Sequence, residues 1–294
     1  MEQGQIVIDT HVHPISTDTV RYPLRSGSRG PGGVAEGRRA GEGGMVEKGM
    51  TTEQMLDAMA AVDVRKAVLV QSASLYGFDN DYIADSANAH PDRCIALCAI
   101  DVLADDAPDV LSHWVNERGM RGIRFTAADS LDDPKTFAVW ERAGALGVPM
   151  DVQLRLQHFD KLRAALARFS EIRVLIDHAG NANRRAADGT PAPAAPPEAL
   201  LSLAAFPNLY LKLTTQNLDG VLETGAPPEA FFGPLLDQFG AGRLMWGTDF
   251  PATANQPYGE RLAQSKAAFA FMSASDQAMV MGGTALAIWP ELGD

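Results

Sequence analysis

The sequence predicts an α/β protein, more specifically a (β/α)₈ TIM barrel, and three observations lead to that prediction. Eight short apolar runs, many of them β-branched, recur along the chain, and segments with apolar residues three and four positions apart separate them. Most of these runs are almost continuously apolar, which is typical of parallel strands that are covered on both faces. The chain has 294 residues, and one such barrel needs roughly 250.

The elements follow in chain order from turn residues, caps and periodicity. The predicted strands are Gln5–His11, Lys66–Gln71, Cys94–Ile100, Arg121–Phe125, Val148–Leu154, Arg173–His178, Leu209–Leu213 and Arg243–Asp249. The predicted helices are Thr52–Val62, Asp106–Glu117, Asp133–Leu146, Phe159–Phe169, Glu198–Phe206, Glu229–Phe239 and Arg261–Phe271. Strands that alternate with helices eight times over favour a closed barrel over an open sheet.

Residues 1–294 are predicted to form a single domain that carries two loop insertions. Residues 26–49, with nine glycines, follow the first strand, and residues 182–197, rich in alanine and proline, follow the sixth. Connections from a strand to the next helix lie over the C-terminal mouth of a barrel. Two interpretations stay open, namely plain surface loops or a lid that closes over substrate.

The composition limits the partners of the chain. A formal net charge of −12 argues against nucleic acid as a partner. The apolar runs are shorter than the roughly 18 residues of a membrane span, and the N-terminus lacks the pattern of a secretory signal. Cys94 and Cys98 lie four positions apart in a predicted strand, too far for a disulfide. We therefore expect a cytoplasmic protein with buried thiols and a small-molecule substrate, and self-association is left open.

Ionisable side chains close three of the predicted strands. His11 and His13 end the first strand, His178 the sixth and Asp249 the eighth. Residues two apart in a strand share a face, roughly 7 Å apart, so two imidazoles can converge on one ion or oxygen. Each residue alone has a structural explanation, such as turn initiation by Asp249 before Phe-Pro. Together, at one end of one barrel, they predict an active site.

These residues and their surroundings resemble a known family. An HxH on strand one, a His on strand six and an Asp on strand eight are the pattern of the amidohydrolase superfamily. The stretches AVLVQSASLYGFDN, RGIRF, DVQLR, IDHAG and WGTDFP resemble its lactonase-type branch. That branch includes 2-pyrone-4,6-dicarboxylate lactonase, sugar lactonases and galactarolactone isomerase, and the resemblance extends over the whole chain.

The resemblance also bears on metal binding. Superfamily members with two metal ions have a lysine on strand four and a histidine on strand five, where this chain has Arg124 and Gln153. His158 follows five residues later and is expected to be an exposed residue at a helix start. At most one ion is therefore expected, held by His11, His13 and Asp249, with zinc favoured by these donors. Catalysis without metal, as in several branch members, is the alternative.

Four further residues are predicted to bind substrate, namely Arg124, Gln153, Tyr76 and Asn181. A guanidinium at the mouth can clamp a carboxylate, and an arginine at this place does so in the lactonases that the chain resembles. The structural alternative for Arg124 is an ion pair with a strand-end acid such as Asp151. Asn181 stands where the branch often has a basic residue, which leaves the charge of the substrate open. Weaker candidates are Arg21, Tyr22, Asn80, Arg184 and Lys212.

The chemistry that this pattern favours is hydrolysis of a lactone or a related ester or amide. Asp249 would take a proton from water, and the three histidines, with or without one metal ion, would polarise the carbonyl. A decarboxylase or lactone isomerase on the same scaffold is the alternative, although the missing strand-five histidine counts against the decarboxylase. A catalytically inactive binding barrel would be expected to lack Asp249 or the HxH pair, and both are present.

Overall fold

The computed structural model describes residues 6–24, 50–184, 192–253 and 256–293. Within them, eight parallel strands follow one another in the order of the chain and form a barrel, as predicted. They are β1 (Ile8–Val12), β2 (Lys66–Val70), β3 (Cys94–Ala99), β4 (Ile123–Phe125), β5 (Met150–Val152), β6 (Val174–Ile176), β7 (Leu209–Thr214) and β8 (Leu244–Gly247).

Helices connect the strands on the outside of the barrel. In the described residues they are α1 (Thr52–Ala60), α2 (Ala73–Tyr76), α3 (Asp81–Ala89), α4 (Ala107–Asn116), α5 (Pro134–Leu146), α6 (Phe159–Arg168), α7 (Glu198–Leu201), α8 (Thr215–Thr224), α9 (Glu229–Phe239), α10 (Tyr258–Ala268), α11 (Ala274–Ala278) and α12 (Thr284–Ile288). None of these helices combines the length and the apolar character that a membrane crossing requires.

The observed helices differ from the predicted ones in several regions. The prediction Arg261–Phe271 was shifted, because the helix begins at Tyr258, directly after Pro257, and ends at Ala268. Among the described residues, five observed helices were not predicted, and α3 and α8 are the longest of them. Polar residues stand on their buried faces beside the apolar ones, such as Ser86 in α3 and Asn217 in α8.

Alternation along the strands divides the core into two layers. The outward side chains pack against the helices in one large apolar cluster, to which Ile123, Met150 and Leu211 belong. A smaller cluster with Ile8 and Leu175 fills the lower barrel interior and is closed below by Trp289. Above this apolar floor the inward positions of β4 to β7 are polar, and they lead to the mouth of the barrel.

The insertion predicted at residues 26–49 lies outside the described residues, as does the part of the second insertion from 185 to 191. The described part of the second insertion ends at Pro197, directly before α7. The prediction of a lid at these positions therefore stays a prediction.

Candidate active site

A β-bulge in β1 determines which of its side chains enter the barrel. Asp9 lies opposite Ala67 of β2 and Val12 lies opposite Leu69, so β1 has one extra residue between these two points. Ile8 belongs to the interior cluster, whereas Val12 belongs to the outer one. The extra residue therefore turns Asp9 outward, and the histidines on either side of Val12 both point into the barrel.

His11, His13 and Asp249 meet at the top of the barrel interior. The Nε2 atoms of His11 and His13 are 3.1 Å apart. Oδ1 of Asp249 lies 3.2 Å from Nε2 of His13 and 3.6 Å from Nε2 of His11. All three side chains are buried. The structure thus brings together three of the four residues predicted to be catalytic, with one donor atom from each.

Asp249 is held in place by backbone and side-chain contacts. Its backbone is in the left-handed region, with φ of 58°, and its N–H donates to the carbonyl of His11 at 2.8 Å. Gln216, at the start of α8, donates from Nε2 to Oδ2. Burial opposes ionisation, but His178 and the hydrogen bond with His13 outweigh it and lower the pKa of Asp249 below its ordinary value. The carboxylate is therefore the stable form at neutral pH.

His178, the fourth predicted residue, sits in a left-handed turn after β6. The φ angles of His178, Ala179 and Asn181 are 53°, 47° and 54°. Gly180 follows the same geometry, and a Cβ there would lie 2.7 Å from the ring of Phe159. The ring of His178 lies 4.8 Å from that of His11, centroid to centroid. The turn thus directs the imidazole towards the other two histidines.

Two hydrogen bonds support His178 from β7 and α8. Its Nδ1 lies 2.8 Å from the hydroxyl of Thr214, and Nδ2 of Asn217 donates to its carbonyl at 2.8 Å. Burial lowers the pKa of His178 below its ordinary value, with Asp249 and Asp177 opposing. The neutral imidazole is therefore favoured at neutral pH.

A layer of charged side chains, not predicted as one set, lies inside the barrel directly beneath the histidines. It consists of Arg124, Asp151, Asp177 and Lys212, one each from the ends or middles of β4 to β7, and all are buried. Lys212 donates to Oδ2 of Asp151 and lies 3.6 Å from Oδ1 of Asp177. Its Nζ is also 3.4 Å from Nδ1 of His11. Lysine and aspartate are rarely buried unless they are paired, so their presence in strands buried on both faces could have indicated this layer.

The groups in this layer shift one another's pKa values. Burial and the neighbouring Asp177 raise the pKa of Asp151 to about 8, and the ammonium of Lys212 opposes that rise. Burial also disfavours an ionised Asp177, but His11, Arg124 and Lys212 together lower its pKa well below the ordinary value. Burial, followed by the charge of Lys212, lowers the pKa of His11, against the effect of Asp177. The layer therefore surrounds a neutral His11 with fixed charges.

Arg124 is fixed within this layer by two hydrogen-bond partners. Its Nε and Nη2 donate to Oδ2 of Asp177 at 3.2 and 3.1 Å, and its Nη1 donates to the carbonyl of Gln71 at 2.8 Å. The geometry is that of the structural alternative, an ion pair with a strand-end acid. The acid named for that alternative was wrong, because Asp151 pairs with Lys212 instead. Binding of a substrate carboxylate by Arg124 stays a prediction.

The other predicted substrate-binding residues lie around the mouth. Gln153 is exposed just after β5. The hydroxyl of Tyr76 is buried and accepts the N–H of Ser16 at 2.9 Å, and Nδ2 of Asn181 donates to the carbonyl of Leu154 at 3.0 Å. Tyr76 and Asn181 therefore each tie one loop to the next, and their contacts with substrate stay predictions.

The expectation that His158 is exposed was wrong. It does precede a helix, α6, but its side chain is only 10% exposed and lies 3.3 Å from a carboxylate oxygen of Asp129. Its Nδ1 accepts the N–H of Arg155 at 3.1 Å. His158 is thus part of the loop after β5.

The donor atoms of His11, His13 and Asp249 fit a divalent ion. Three ligands bound to zinc at about 2.0–2.1 Å in a tetrahedral shell are separated from one another by roughly 3.3 Å. The three observed separations of 3.1, 3.2 and 3.6 Å bracket that value. A second group of possible ligands, His11, Asp177 and His178, shares His11 with the first. Two imidazoles and one carboxylate are a donor set typical of catalytic zinc.

Comparisons with known proteins agree with this architecture. The family model described as amidohydrolase matches residues 8–290. A curated relative, L-fucono-1,5-lactonase of Burkholderia ambifaria, is 29% identical over 243 residues, which cover 77% of this chain and 80% of the relative.

Solved structures share the fold. An amidohydrolase of Burkholderia multivorans with bound zinc superposes with a TM-score of 0.75 at 20% identity, covering 97% of this chain and 99% of the other. The 5-carboxyvanillate decarboxylase of Sphingomonas paucimobilis superposes with a TM-score of 0.69 at 17% identity, with coverage of 97% and 99%. At these identities the similarity concerns the fold alone.

Proposed function

Because the chain belongs to the amidohydrolase family, we propose that it is a lactonase, which opens the ring of a small lactone. The observation that carries the proposal is the cluster of Nε2 of His11, Nε2 of His13 and Oδ1 of Asp249 at the mouth of the barrel. The similarity to an L-fucono-1,5-lactonase supports a lactone as the substrate class. A cyclic ester needs a polarised carbonyl and an activated water, and this cluster can supply both.

Asp249 is the proposed general base. Its lowered pKa keeps this group ionised across the neutral range, and only the ionised carboxylate can accept a proton from water. Gln216 occupies Oδ2, which leaves Oδ1 directed towards the histidines. His178, neutral because of its lowered pKa, stands beside them to support the developing oxyanion. Asp249 or a histidine then returns the proton to the alkoxide that leaves when the ring opens.

His11, His13 and Asp249 would hold one divalent ion, and their donor set favours zinc. Such an ion supplies Lewis-acid polarisation of the carbonyl and a lower pKa for water. The protein's own contribution is to keep three donor atoms within 3.6 Å of one another in a buried site.

We further propose that the substrate is a neutral sugar lactone rather than an anionic one. The fork of Arg124 is turned onto Asp177 and Gln71, so a carboxylate on the substrate would have to compete with an existing buried ion pair. A neutral lactone needs no such competition. Its hydroxyl groups can be bound by exposed polar residues of the mouth such as Gln153.

An assay of proton release tests this proposal. Neutral sugar 1,5- and 1,4-lactones, L-fucono-1,5-lactone among them, are compared with 2-pyrone-4,6-dicarboxylate, and carbon dioxide release from aromatic carboxylates is followed in parallel. We expect ring opening of neutral lactones well above the spontaneous rate. The Asp249→Asn variant serves as the control for background activity. Carbon dioxide release without ring opening would favour the decarboxylase, and interconversion of lactones without acid formation would favour the isomerase.

A further inference from the structure

The turn after β6 has a backbone that only contacts from outside the turn can maintain. His178, Ala179 and Asn181 have φ of 53°, 47° and 54°, and Gly180 between them has φ of 68°. Four consecutive residues are therefore left-handed, and three of them carry a Cβ that disfavours this region. Such a segment persists only where the surrounding structure determines its shape. The contacts that hold this turn thus also determine where the imidazole of His178 points.

Asn217, the third residue of α8, supplies a central part of these contacts. Its side chain is buried. Its Nδ2 donates to the carbonyl of His178 at 2.8 Å and to Oδ1 of Asn183 at 2.9 Å. Nδ2 of Asn183 donates in return to the carbonyl of Asn217 at 2.6 Å. One amide group therefore ties the start of the left-handed turn, and the chain directly after it, to the first turn of α8.

The oxygen of the same amide has a separate role at the start of α8. Oδ1 of Asn217 accepts the N–H of Thr214, the residue that caps the helix, at 3.0 Å. The hydroxyl of Thr214 in turn lies 2.8 Å from Nδ1 of His178. A backbone N–H only donates and a carbonyl only accepts, so these partners determine which way the amide of Asn217 is oriented.

The helix cap alone does not explain why residue 217 is an asparagine. An aspartate at the third position of a helix accepts the same hydrogen bond, and its negative charge interacts favourably with the helix dipole. An ionised aspartate has no hydrogen to donate to the carbonyl of His178 or to Asn183. The NH₂ group of Asn217 is therefore the feature that the turn requires.

We propose that Asn217 is a positioning residue of the lactonase site, which holds the imidazole of His178 beside His11. The inference rests on the proposed function, in which His178 supports the developing oxyanion. A displacement of about 1 Å at such a group can lower the rate about 10²-fold. Loss of a contact that is made only in the transition state lowers kcat and leaves KM unchanged. Asn217 should therefore act on kcat, through His178.

The test replaces an amide nitrogen by oxygen at two matched positions. Asn217→Asp keeps the size of the side chain and the cap of α8, but it places a carboxylate oxygen against the carbonyl of His178. Asn208→Asp is the control. Asn208 is also buried, directly before β7 at the other end of the barrel, and its Nδ2 donates to the carbonyls of Phe169 and Ile172 at 3.3 and 3.0 Å. Thermal unfolding should show a loss of stability in both variants.

Steady-state kinetics with a neutral lactone should separate the two variants. In Asn217→Asp we expect kcat to fall about 10–100-fold and KM to change less than about threefold. In Asn208→Asp both constants should stay close to those of the wild type. Equal losses of kcat in the two folded variants would reduce Asn217 to a structural role and overturn the proposal. A loss that appears in KM rather than in kcat would overturn it as well.

Crystal structures of the same variants give a readout that needs no activity. In Asn217→Asp the carbonyl of His178 should turn away from residue 217 and its ring should leave the hydroxyl of Thr214, whereas Asn208→Asp should keep both contacts. An unchanged turn contradicts the proposal even if kcat falls. If the wild type opens no lactone, the proposed function fails, and a displaced turn still supports the role of Asn217 in placing His178. If the carboxylate prevents folding, Asn217→Ser decides, because its single hydroxyl cannot donate to both acceptors.

Discussion

At the scale of single residues, Asp249 has the surroundings that a general base needs. Its Oδ2 is fixed by Gln216, and its Oδ1 faces His13 at 3.2 Å. Asp249→Asn keeps the shape but cannot accept a proton, so kcat should fall by at least about 10²-fold. Steady-state kinetics and thermal unfolding of the same preparation check this. Near-wild-type turnover in a folded variant would contradict the proposed mechanism.

Arg124 offers a second test at this scale, because its two possible partners predict different observables. Arg124→Met leaves the buried Asp177 without its paired donors and should cost about 3 kcal/mol of stability. Arg124→Lys keeps the charge but loses the fork, so it should cost less. With a neutral lactone, KM should stay within about twofold in both variants, since no carboxylate is bound. A large rise in KM at unchanged stability would instead assign Arg124 to a substrate carboxylate.

The sequence predicted the residues of the candidate site, but not the residues that hold their side chains in place. An HxH pair, a histidine and an aspartate at strand ends are visible because charged residues there interrupt apolar runs. The contact of His11 with Asp177 was not predictable, since it depends on the relative height of β1 and β6 in the barrel. Gln216 was not predictable either, because a glutamine at a helix start has no distinctive pattern.

At the scale of elements, the seam between β1 and β8 depends on Asp9. Its Oδ1 accepts the N–H groups of His11 and Thr248 at 3.2 and 2.9 Å. Its Oδ2 accepts the hydroxyls of Thr248 and Tyr258, from α10, at 2.6 and 2.9 Å. One outward carboxyl group thus ties together the two backbone segments that carry His11 and Asp249.

Asp9 makes the stability of this seam depend on pH. Burial raises the pKa of Asp9 to about 6, against the hydrogen bonds that it accepts. The folded state then binds the proton more tightly than the unfolded state, so this group's contribution to stability falls as pH rises from about 4 to 6. The neutral amide of an Asp9→Asn variant resembles the protonated carboxyl group. The free energy of unfolding of this variant minus that of wild type should therefore rise by about 2 kcal/mol between pH 4 and pH 7. A difference that is independent of pH would contradict this.

The turn that carries His178 depends on the close approach of α8. A Cβ on Gly220 would lie 2.4 Å from the carbonyl oxygen of Asn183, which is backbone and cannot yield easily. Gly220→Ala should therefore destabilise the fold and lower kcat, although alanine favours a helix by about 1 kcal/mol. Gly233→Ala in α9 is the matched control, because its Cβ would meet Glu229 at 3.5 Å, an ordinary contact. The midpoint of thermal unfolding should fall in Gly220→Ala and rise in Gly233→Ala. Equal shifts in the two variants would contradict the close packing at Gly220.

The direction of the β1 side chains could be predicted from the sequence only in part. The spacing of His11 and His13 predicts a shared face, and the structure agrees. By the same rule Asp9 would share that face, but the bulge turns it outward. The position of a one-residue bulge depends on how β1 pairs with β2 and β8. The sequence of β1 alone does not reveal that pairing.

At the scale of the whole molecule, the fold was predictable because each strand is buried on both faces. Nearly continuous apolar runs and regular spacing define the barrel before any tertiary contact is known. The charged layer of Arg124, Asp151, Asp177 and Lys212 is the exception, since each of these residues interrupts an apolar strand. Together they form one connected set inside the barrel, which only the closed structure brings together.

This layer also limits the number of metal ions that the barrel can hold. A second ion at His11, Asp177 and His178 would share His11 with the first. It would also lie beside two cations that already contact Asp177. Nη2 of Arg124 is 3.1 Å from Oδ2 of Asp177, and Nζ of Lys212 is 3.6 Å from its Oδ1. Like charges at such distances oppose binding in a buried site.

We therefore expect at most one divalent ion per chain. Elemental analysis of protein purified without chelator should give no more than about one equivalent, with zinc preferred for two imidazoles and one carboxylate. His13→Gln is the control, because it removes one donor of the proposed site and leaves the charged layer intact, so the ion should be lost. Two equivalents of zinc or manganese in wild type would mean that the cations of Arg124 and Lys212 do not exclude a second ion.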